Sequence, residues 1–163
     1  MKRILGIVLN FVLSIFPIDD NKIVFWGARG KIDEHPREIF YYMRDKEKTK
    51  YKLKWIVDKS TDVTELTKEE FCFYKTLKGY YEIATAKYWI QSQSIGSMVK
   101  KRKGQIYIQT FHGQGAFKKM GFDMEDENKI IGLDDVSKDW DWLITTDPMY
   151  EEVMKRCIGY KGK

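Results

Sequence analysis

One segment of the sequence combines residues that could carry out acid–base and anion-binding chemistry. His112 directly follows Gln105–Thr110, the run with the strongest strand pattern in the chain. Four residues suited to holding an anion come next: Gly113, Gly115, Lys118 and Lys119. A neutral imidazole accepts a proton from a hydroxyl, and glycines at the start of a helix bring backbone N–H groups close to a phosphate. The segment therefore predicts a phosphoryl-transfer site.

The same residues also have a structural interpretation, which the pattern alone leaves open. Two glycines after a strand often make only a tight turn, a single histidine is often satisfied within the fold, and neighbouring lysines often lie on a solvated helix face. The other histidine, His35, precedes Pro36 in a predicted loop. We interpret His35 as incidental.

Strand-like and helix-like patterns alternate along the rest of the chain. Apolar runs rich in β-formers predict six strands at 22–27, 51–58, 71–74, 87–91, 105–110 and 142–146. Helical patterns predict a helix that has Pro36 in its first turn and runs to about Lys46, and a second helix at 78–86. They also predict one that runs through Lys119 and one from Pro148 to near Gly159. The alternation predicts βαβ units and a largely parallel sheet, as in a Rossmann-like α/β domain. Ligands bind at the carboxyl ends of such strands, which draws attention to 27–31, 92–94, 111–115 and Asp147.

The N-terminus carries a short apolar segment with a basic start. Lys2 and Arg3 precede an apolar run from Ile4 to Phe16, which is shorter than the roughly 20 residues of a membrane-spanning helix. A helix with a narrow polar stripe and a basic start suits an anchor that lies in the plane of a membrane. We predict a membrane-associating helix at 1–18, with Arg3, Leu5, Phe11 and Phe16 in contact with the membrane. The alternative is a helix packed on the domain or on a partner domain.

Composition sets broad limits on the class of protein. The chain has 163 residues, 43% of them hydrophobic and 15% aromatic, which indicates one globular domain and argues against disorder. The net charge of +5 suits anionic lipid, a phosphate-bearing substrate or nucleic acid. The two cysteines, Cys72 and Cys157, have no metal-ligand spacing. We expect reduced thiols and no metal site.

At the His112 segment the chain resembles a known family. Its Gln109-Thr110-Phe111-His112-Gly113 followed by Lys118-Lys119-Met120-Gly121-Phe122-Asp123 is similar to the signature of the CDP-glycerol glycerophosphotransferases, which make teichoic-acid-type polymers. The family usually has tryptophan where this chain has Phe111. The stretch 77–90 and the strands at 22–27 and 51–57 also fit the family pattern. The likeness runs from about Lys22 to the C-terminus.

The resemblance implies an activity, a mechanism and a set of partners. An acceptor hydroxyl would attack the glycerol-bearing phosphorus of CDP-glycerol, with His112 as general base and with Lys118, Lys119 and the glycine N–H groups stabilising phosphate charge. It implies a lipid-linked acceptor, an anionic membrane surface at the cytoplasmic face of the bacterial cell membrane, no cofactor beyond the donor substrate, and no nucleic acid. Residues 22–163 would be the acceptor-side N-terminal half of a two-domain GT-B-type transferase, whose donor-binding domain is missing from this chain.

Three other interpretations remain open at this point. Residues 1–163 could be a non-catalytic module that binds a membrane or a polymer. The fold also permits half of a nucleotide-sugar glycosyltransferase. The basic turn Lys100–Gly104 could contact nucleic acid, although such turns are more often solvated or in contact with anionic lipid.

Overall fold

The fold is seen in a computed structural model, which describes residues 2–47, 50–95, 99–111, 119, 121–124 and 137–161, with only the backbone described at 2, 3 and 47. Six strands lie in these ranges: β1 (Asp19–Trp26), β2 (Lys52–Val57), β3 (Phe71–Phe73), β4 (Ala86–Gln91), β5 (Ile106–Gln109) and β6 (Trp142–Leu143). The described helices are α1 (Lys2–Ser14), α2 (Glu34–Glu47), α3 (Leu77–Thr85) and α4 (Pro148–Ile158). Short 3₁₀ turns form at Ala28–Gly30 and Gly121–Asp123.

The strands form one parallel sheet with the order β3-β2-β1-β4-β5-β6. The chain builds outward from β1 in one direction and then crosses back to place β4 on its other side. The order therefore reverses between β1 and β4, which is the position where ligands bind in open α/β sheets. The predicted parallel Rossmann-like sheet is confirmed.

Successive side chains of β1 point to opposite faces of the sheet, and both faces are buried. This explains why the strand appears in the sequence as an apolar run. Ile23 and Phe25 point into one core layer, where they pack with Phe40 of α2. Val24 and Trp26 point into the other layer, which also receives residues from the remaining described helices: Leu13, Ile83 and Met154. A parallel sheet covered on both faces buries consecutive residues, so the strand reads as a continuous apolar run.

The polar start of β1 was not visible in the sequence pattern. The strand begins at Asp19, three residues before the predicted start at Lys22, because Asp19 pairs with Ala86 across an irregularity in the register. Its carboxylate accepts a hydrogen bond from Lys52 at 2.7 Å. Helix α2 begins at Glu34, which places Pro36 in the first turn, as predicted. The apolar centre of β1 was predicted correctly, and its polar start was not.

Helix α1 packs on α3 and is fixed at its C-terminal end by Arg102. The Arg102 guanidinium donates to carbonyl oxygens at the end of α1, among them Ser14 at 3.1 Å and Phe16 at 2.9 Å, and to Ala84 of α3 at 3.2 Å. The last carbonyl groups of a helix have no partner within the helix, so this side chain satisfies several of them at once. The described helices include none long and apolar enough to cross a membrane.

A buried ion pair lies between β1 and α3. Lys22 Nζ is 2.8 Å from Glu82 Oε2, and the two side chains are 8% and 10% exposed. The same ammonium donates to Thr85 Oγ1 at 2.8 Å. Glu82 Oε2 has the ammonium at ion-pair distance but no aligned hydrogen bond. The pair therefore depends on charge attraction in a site with little water.

Candidate functional site

The carboxyl edge of the sheet is built from the segments that follow β1, β4 and β5. The segment after β1 makes a tight 3₁₀ turn whose backbone groups bond within the protein. Ala28 N–H donates to Asp33 Oδ1 at 2.9 Å, and Arg29 N–H donates to Gln93 Oε1 at 2.9 Å. A Cβ on Gly27 would lie 2.2 Å from the Lys31 carbonyl oxygen and 2.3 Å from Asp33 Oδ1. The first βα loop is therefore closely packed at Gly27, and the N–H groups of Ala28 and Arg29 are already used.

Two buried glutamines end the central strands beneath this edge. Gln91 and Gln109 are register partners in β4 and β5, and both side chains are 1% exposed. Tyr107 joins them: its hydroxyl donates to Gln91 Oε1 at 2.9 Å and lies 3.5 Å from Gln109 Nε2. Burial raises the pKa of the Tyr107 hydroxyl to about 12. The hydroxyl therefore stays protonated at neutral pH and remains a donor to Gln91.

The Gln109 side chain reaches forward to the first turn after β5. Its Oε1 accepts the N–H of Phe111 at 2.9 Å. Phe111 has a φ of +58°, a left-handed conformation that costs a non-glycine residue on the order of 1–3 kcal/mol. The Phe111 carbonyl oxygen lies 3.4 Å from Nδ1 of His35, an exposed residue in the first turn of α2. Side chains from two different elements thus contact the backbone immediately before residue 112.

The predicted catalytic and phosphate-binding residues stay predictions, because most of them lie beyond the part of the chain that the structure describes. His112, Gly113, Gly115 and Lys118 lie outside the described residues. Lys119 is described and exposed. Asp147, which the strand pattern placed at the ligand-binding edge, caps α4, and its carboxylate accepts the N–H of Met149 at 2.7 Å.

The acidic end of the family-like motif is fixed to α4. Asp123 receives two hydrogen bonds from Arg156, at 3.0 Å from Nε and 2.7 Å from a terminal guanidinium nitrogen. The Arg156 guanidinium holds the pKa of Asp123 below its ordinary value, and the charge of Lys119 acts in the same direction. The segment that follows the lysine pair is thereby attached to the last described helix.

Helix α1 and the residues directly after it present most of the predicted membrane-contact side chains to the outside. Leu5 is 61% exposed, Phe11 is 70% exposed and Phe16 is 41% exposed, with the Phe16 ring edge-on to Tyr81 at 5.2 Å. Arg3 lies in the helix, and its side chain is outside the described part. Further exposed apolar residues extend this face: Ile4, Ile7, Val8, Val12 and Ile15. The helix both packs on the domain and exposes an apolar face, so the two sequence interpretations are compatible.

The polar residue Asn10 of α1 contacts the domain. Asn10 Oδ1 accepts the backbone N–H of Lys100 at 2.8 Å. In the basic turn Lys100–Gly104, Arg102 is used at the end of α1, and Lys101 pairs with Asp141 at 2.6 Å. Two of the four basic side chains of this turn therefore serve internal contacts, which weakens the interpretation of the turn as a nucleic-acid surface.

Sequence reasoning gave no role at this edge to His35, Gln91 or Gln109. His35 was interpreted as incidental, and its partner Phe111 is 76 positions away in the chain. The two glutamines did leave a signal, because each is a polar residue that follows three apolar or aromatic residues at the end of its strand. A buried amide in such a place needs a hydrogen-bond partner, which points to a built network.

Comparison with known proteins gives a consistent family. The model of the family described as CDP-glycerol:poly(glycerophosphate) glycerophosphotransferase matches residues 8–163. A teichoic acid poly(glycerol phosphate) polymerase from Bacillus spizizenii (strain ATCC 23059 / NRRL B-14472 / W23) is 29% identical over 171 residues, which cover 98% of this chain and 43% of the relative.

Solved structures of the wall teichoic acid polymerase TagF share the fold. One superposes with a TM-score of 0.79 at 18% identity and covers 98% of this chain and 41% of that chain. A form of a variant soaked with CDPG gives a TM-score of 0.77 at 17% identity, over 98% and 44% of the two chains. This chain therefore shares the Rossmann-like fold of the matching part of those structures, and it spans less than half the length of the relatives it matches.

Proposed function

Because the chain belongs to the CDP-glycerol:poly(glycerophosphate) glycerophosphotransferase family, we propose that it forms the acceptor side of an enzyme that extends a teichoic-acid-type polymer. The enzyme transfers glycerol phosphate from CDP-glycerol to a hydroxyl of a lipid-linked acceptor. The observation that carries the proposal is the position of Phe111. It turns the backbone in a left-handed conformation at the carboxyl edge, directly before His112 in the sequence.

The reaction follows from the chemistry of the proposed residues. The His112 imidazole removes the proton of the acceptor hydroxyl as its oxygen attacks the glycerol-bearing phosphorus of CDP-glycerol. A new P–O bond forms, the bond from that phosphorus to CMP breaks, and CMP leaves with the bonding electron pair. Lys118, Lys119 and the N–H groups near Gly113 and Gly115 offset the negative charge of the phosphates.

The proposal divides the substrates between two domains. Acceptor binding is assigned to the carboxyl edge of the sheet described above. Donor binding is assigned to a second domain outside these 163 residues, which agrees with the chain covering 43% of its polymerase relative. No cofactor is required, since CDP-glycerol supplies both the transferred group and the leaving group.

The membrane surface is the proposed partner of α1. The basic start at Lys2 and Arg3 matches an anionic surface. The apolar side chains on its outer face, led by Phe11 at 70% exposure, match the acyl boundary beneath the headgroups. A helix held in the membrane plane and fixed to the domain by Arg102 keeps the acceptor site near a lipid-linked polymer. We therefore propose a peripheral location at the cytoplasmic face of the membrane.

The central experiment measures CMP release and glycerol phosphate incorporation with CDP-glycerol and a lipid-linked acceptor analogue. A longer protein that joins this chain to a donor-binding domain should be active. His112→Ala in that protein should lower kcat by at least about 100-fold, because a general base contributes 10²–10⁴ to such reactions. The exposed Tyr42→Ala serves as the control variant, with activity near that of the parent. Turnover retained in His112→Ala would remove this histidine from the mechanism.

Assays of residues 1–163 alone and of the longer protein distinguish the proposal from its alternatives. We expect residues 1–163 to bind vesicles without releasing CMP from CDP-glycerol. Release by the chain alone would place donor binding within it. Release of nucleotide from a sugar donor, and none from CDP-glycerol, in the longer protein would favour a glycosyltransferase. Vesicle binding with no transfer in any longer form would favour a non-catalytic module.

A further inference from the structure

His35 contacts the backbone at the point where the proposed site begins. Its Nδ1 lies 3.4 Å from the Phe111 carbonyl oxygen. That oxygen belongs to the planar peptide that joins Phe111 to residue 112. On the other side of the same residue, Gln109 Oε1 accepts the Phe111 N–H at 2.9 Å. The two peptide planes that flank the Phe111 Cα are therefore each held by a side chain.

We propose that His35 is a positioning residue that, together with Gln109, fixes the backbone from which His112 extends. This inference rests on the proposed function, in which His112 is the general base. Holding both flanking peptide planes fixes the φ and the ψ of Phe111. The φ of +58° is one that a non-glycine residue keeps only when its surroundings determine it. His35 reaches the reaction through the backbone of Phe111 and is not itself assigned contact with substrate.

The surroundings of His35 explain how an exposed side chain can hold this geometry. The residue lies in the first turn of α2, between Glu34, with a φ of +58°, and the fully buried Pro36. The turn before it is closed by the hydrogen bond from Ala28 N–H to Asp33 Oδ1. Backbone on both sides of His35 is therefore anchored, while its own ring is exposed and contributes little to the core. Removing the ring should leave the domain folded.

A hydrogen bond from His35 to the Phe111 carbonyl oxygen requires a proton on Nδ1 of the imidazole. A carbonyl oxygen only accepts hydrogen bonds, so His35 Nδ1 must carry a proton. The neutral ring must then be the Nδ1–H tautomer, with the lone pair on Nε2. The opposite tautomer would place two lone pairs against each other at 3.4 Å. The tautomer is an observable of the contact that does not depend on catalysis.

Imidazole ¹⁵N NMR on residues 1–163 tests the contact directly. The chain contains two histidines, so the spectrum holds two ring systems, and the His112→Ala variant assigns them. We expect neutral His35 to show a protonated Nδ1 and an unprotonated Nε2. We also expect His35→Ala to shift the ring signals of His112, and the exposed Glu38→Ala, on the same helix, to leave them unchanged. An Nε2–H tautomer at His35, or unchanged His112 signals in His35→Ala, would overturn the proposal.

Kinetics in the longer, active protein test the positioning role. His35→Ala should lower kcat about 10- to 100-fold with the KM for the acceptor within about twofold, because a small displacement of a catalytic group slows chemistry more than binding. His35→Asn should recover most of the loss, since the asparagine amide can place an N–H near the position of Nδ1. Equal losses in the two variants, or a loss confined to KM, would overturn the assigned role.

The two measurements also separate this inference from the proposed function. If no form of the protein transfers glycerol phosphate, the proposed function fails, while the tautomer still decides whether His35 holds Phe111. If transfer occurs and His35 has the wrong tautomer, only the positioning role fails. Loss of folding in His35→Ala, detected by circular dichroism, would contradict the claim that the ring is dispensable to the core.

Discussion

The exposed face of α1 allows a quantitative prediction for membrane binding. Leu5 and Phe11 present 61% and 70% of their surface to the outside. Full burial of such a side chain is worth about 1.5–3 kcal/mol, so the exposed fractions offer about 1.5 kcal/mol each and about 3 kcal/mol together. Replacing both residues with serine should therefore weaken binding to vesicles about 100-fold, at tenfold per 1.4 kcal/mol.

The assay is co-sedimentation with vesicles that contain anionic phosphatidylglycerol, compared with purely zwitterionic vesicles. The control is the double variant Leu77→Ser with Met149→Ser, because these residues are 81% and 62% exposed but lie on other helices. It removes a similar apolar surface and should bind like the parent. Neither pair should change stability by more than about 0.5 kcal/mol, since exposed positions away from special contacts tolerate substitution.

Charge supplies the second component of this prediction. Arg3→Gln should cost about 1 kcal/mol on anionic vesicles and almost nothing on zwitterionic ones, and the difference should shrink as salt is added. Equal binding by the parent and by the Leu5→Ser, Phe11→Ser variant would refute the membrane assignment. So would an equal loss in the control. A parent dimer in light scattering that this variant dissociates would show that the face binds a second copy of the chain instead.

Three further predictions concern contacts that hold the domain together. Lys22→Met should lower the free energy of unfolding by about 3–5 kcal/mol in urea, because it leaves the Glu82 carboxylate buried without its partner, and adding Glu82→Leu should restore most of the loss. Arg102→Ala should reduce hydrogen-exchange protection at the end of α1 and leave the sheet protected, because the guanidinium binds carbonyl oxygens there. Asp123 has a lowered pKa in the folded protein, so its pair with Arg156 should stabilise the fold above the ordinary carboxyl pKa of 3.8 and be lost as pH falls through the lowered value. NMR titration should show the Asp123 pKa rising towards 3.8 in Arg156→Gln.

The central strands could be predicted because they are buried on both faces, so that their consecutive residues are apolar. Lys22–Gly27 reads as an apolar run, and Val24 through Trp26 are all buried in the structure. A strand covered on both faces needs no knowledge of its neighbours to be recognised. The order of the strands was not predictable in this way, since pairing depends on contacts between segments far apart in the chain. The parallel pairing of β1 with β4 joins residues more than 60 positions apart.

The same distance in sequence explains which site residues were missed. His112 stood out because its neighbours in the chain have matching chemistry, so a local pattern was sufficient. His35 has no such neighbours, and the role proposed for it depends on the carbonyl oxygen of Phe111, which is 76 positions away in the chain. Arg102 was one of four basic residues in a turn, and the carbonyl oxygens that select it lie 86 to 89 positions earlier. A residue whose functional neighbours lie beside it in the chain can be recognised from the sequence. A residue whose partners are far away in the chain can be recognised only in the folded structure.

The distribution of strained backbone indicates that this edge of the sheet is preorganised. Within the described residues, the non-glycine residues with left-handed φ are Arg29, Glu34, Lys75 and Phe111. Each follows the carboxyl end of a strand or begins the helix beyond it, and none lies at the opposite edge. Such conformations persist only where surrounding contacts determine them, and they concentrate at functional sites. Phe111 is held through the buried Gln109 on one side and the exposed His35 on the other. A substitution at the buried Gln109 should therefore lower the stability of the fold and also alter the backbone conformation of Phe111. A substitution at the exposed His35 should alter that conformation with little effect on stability.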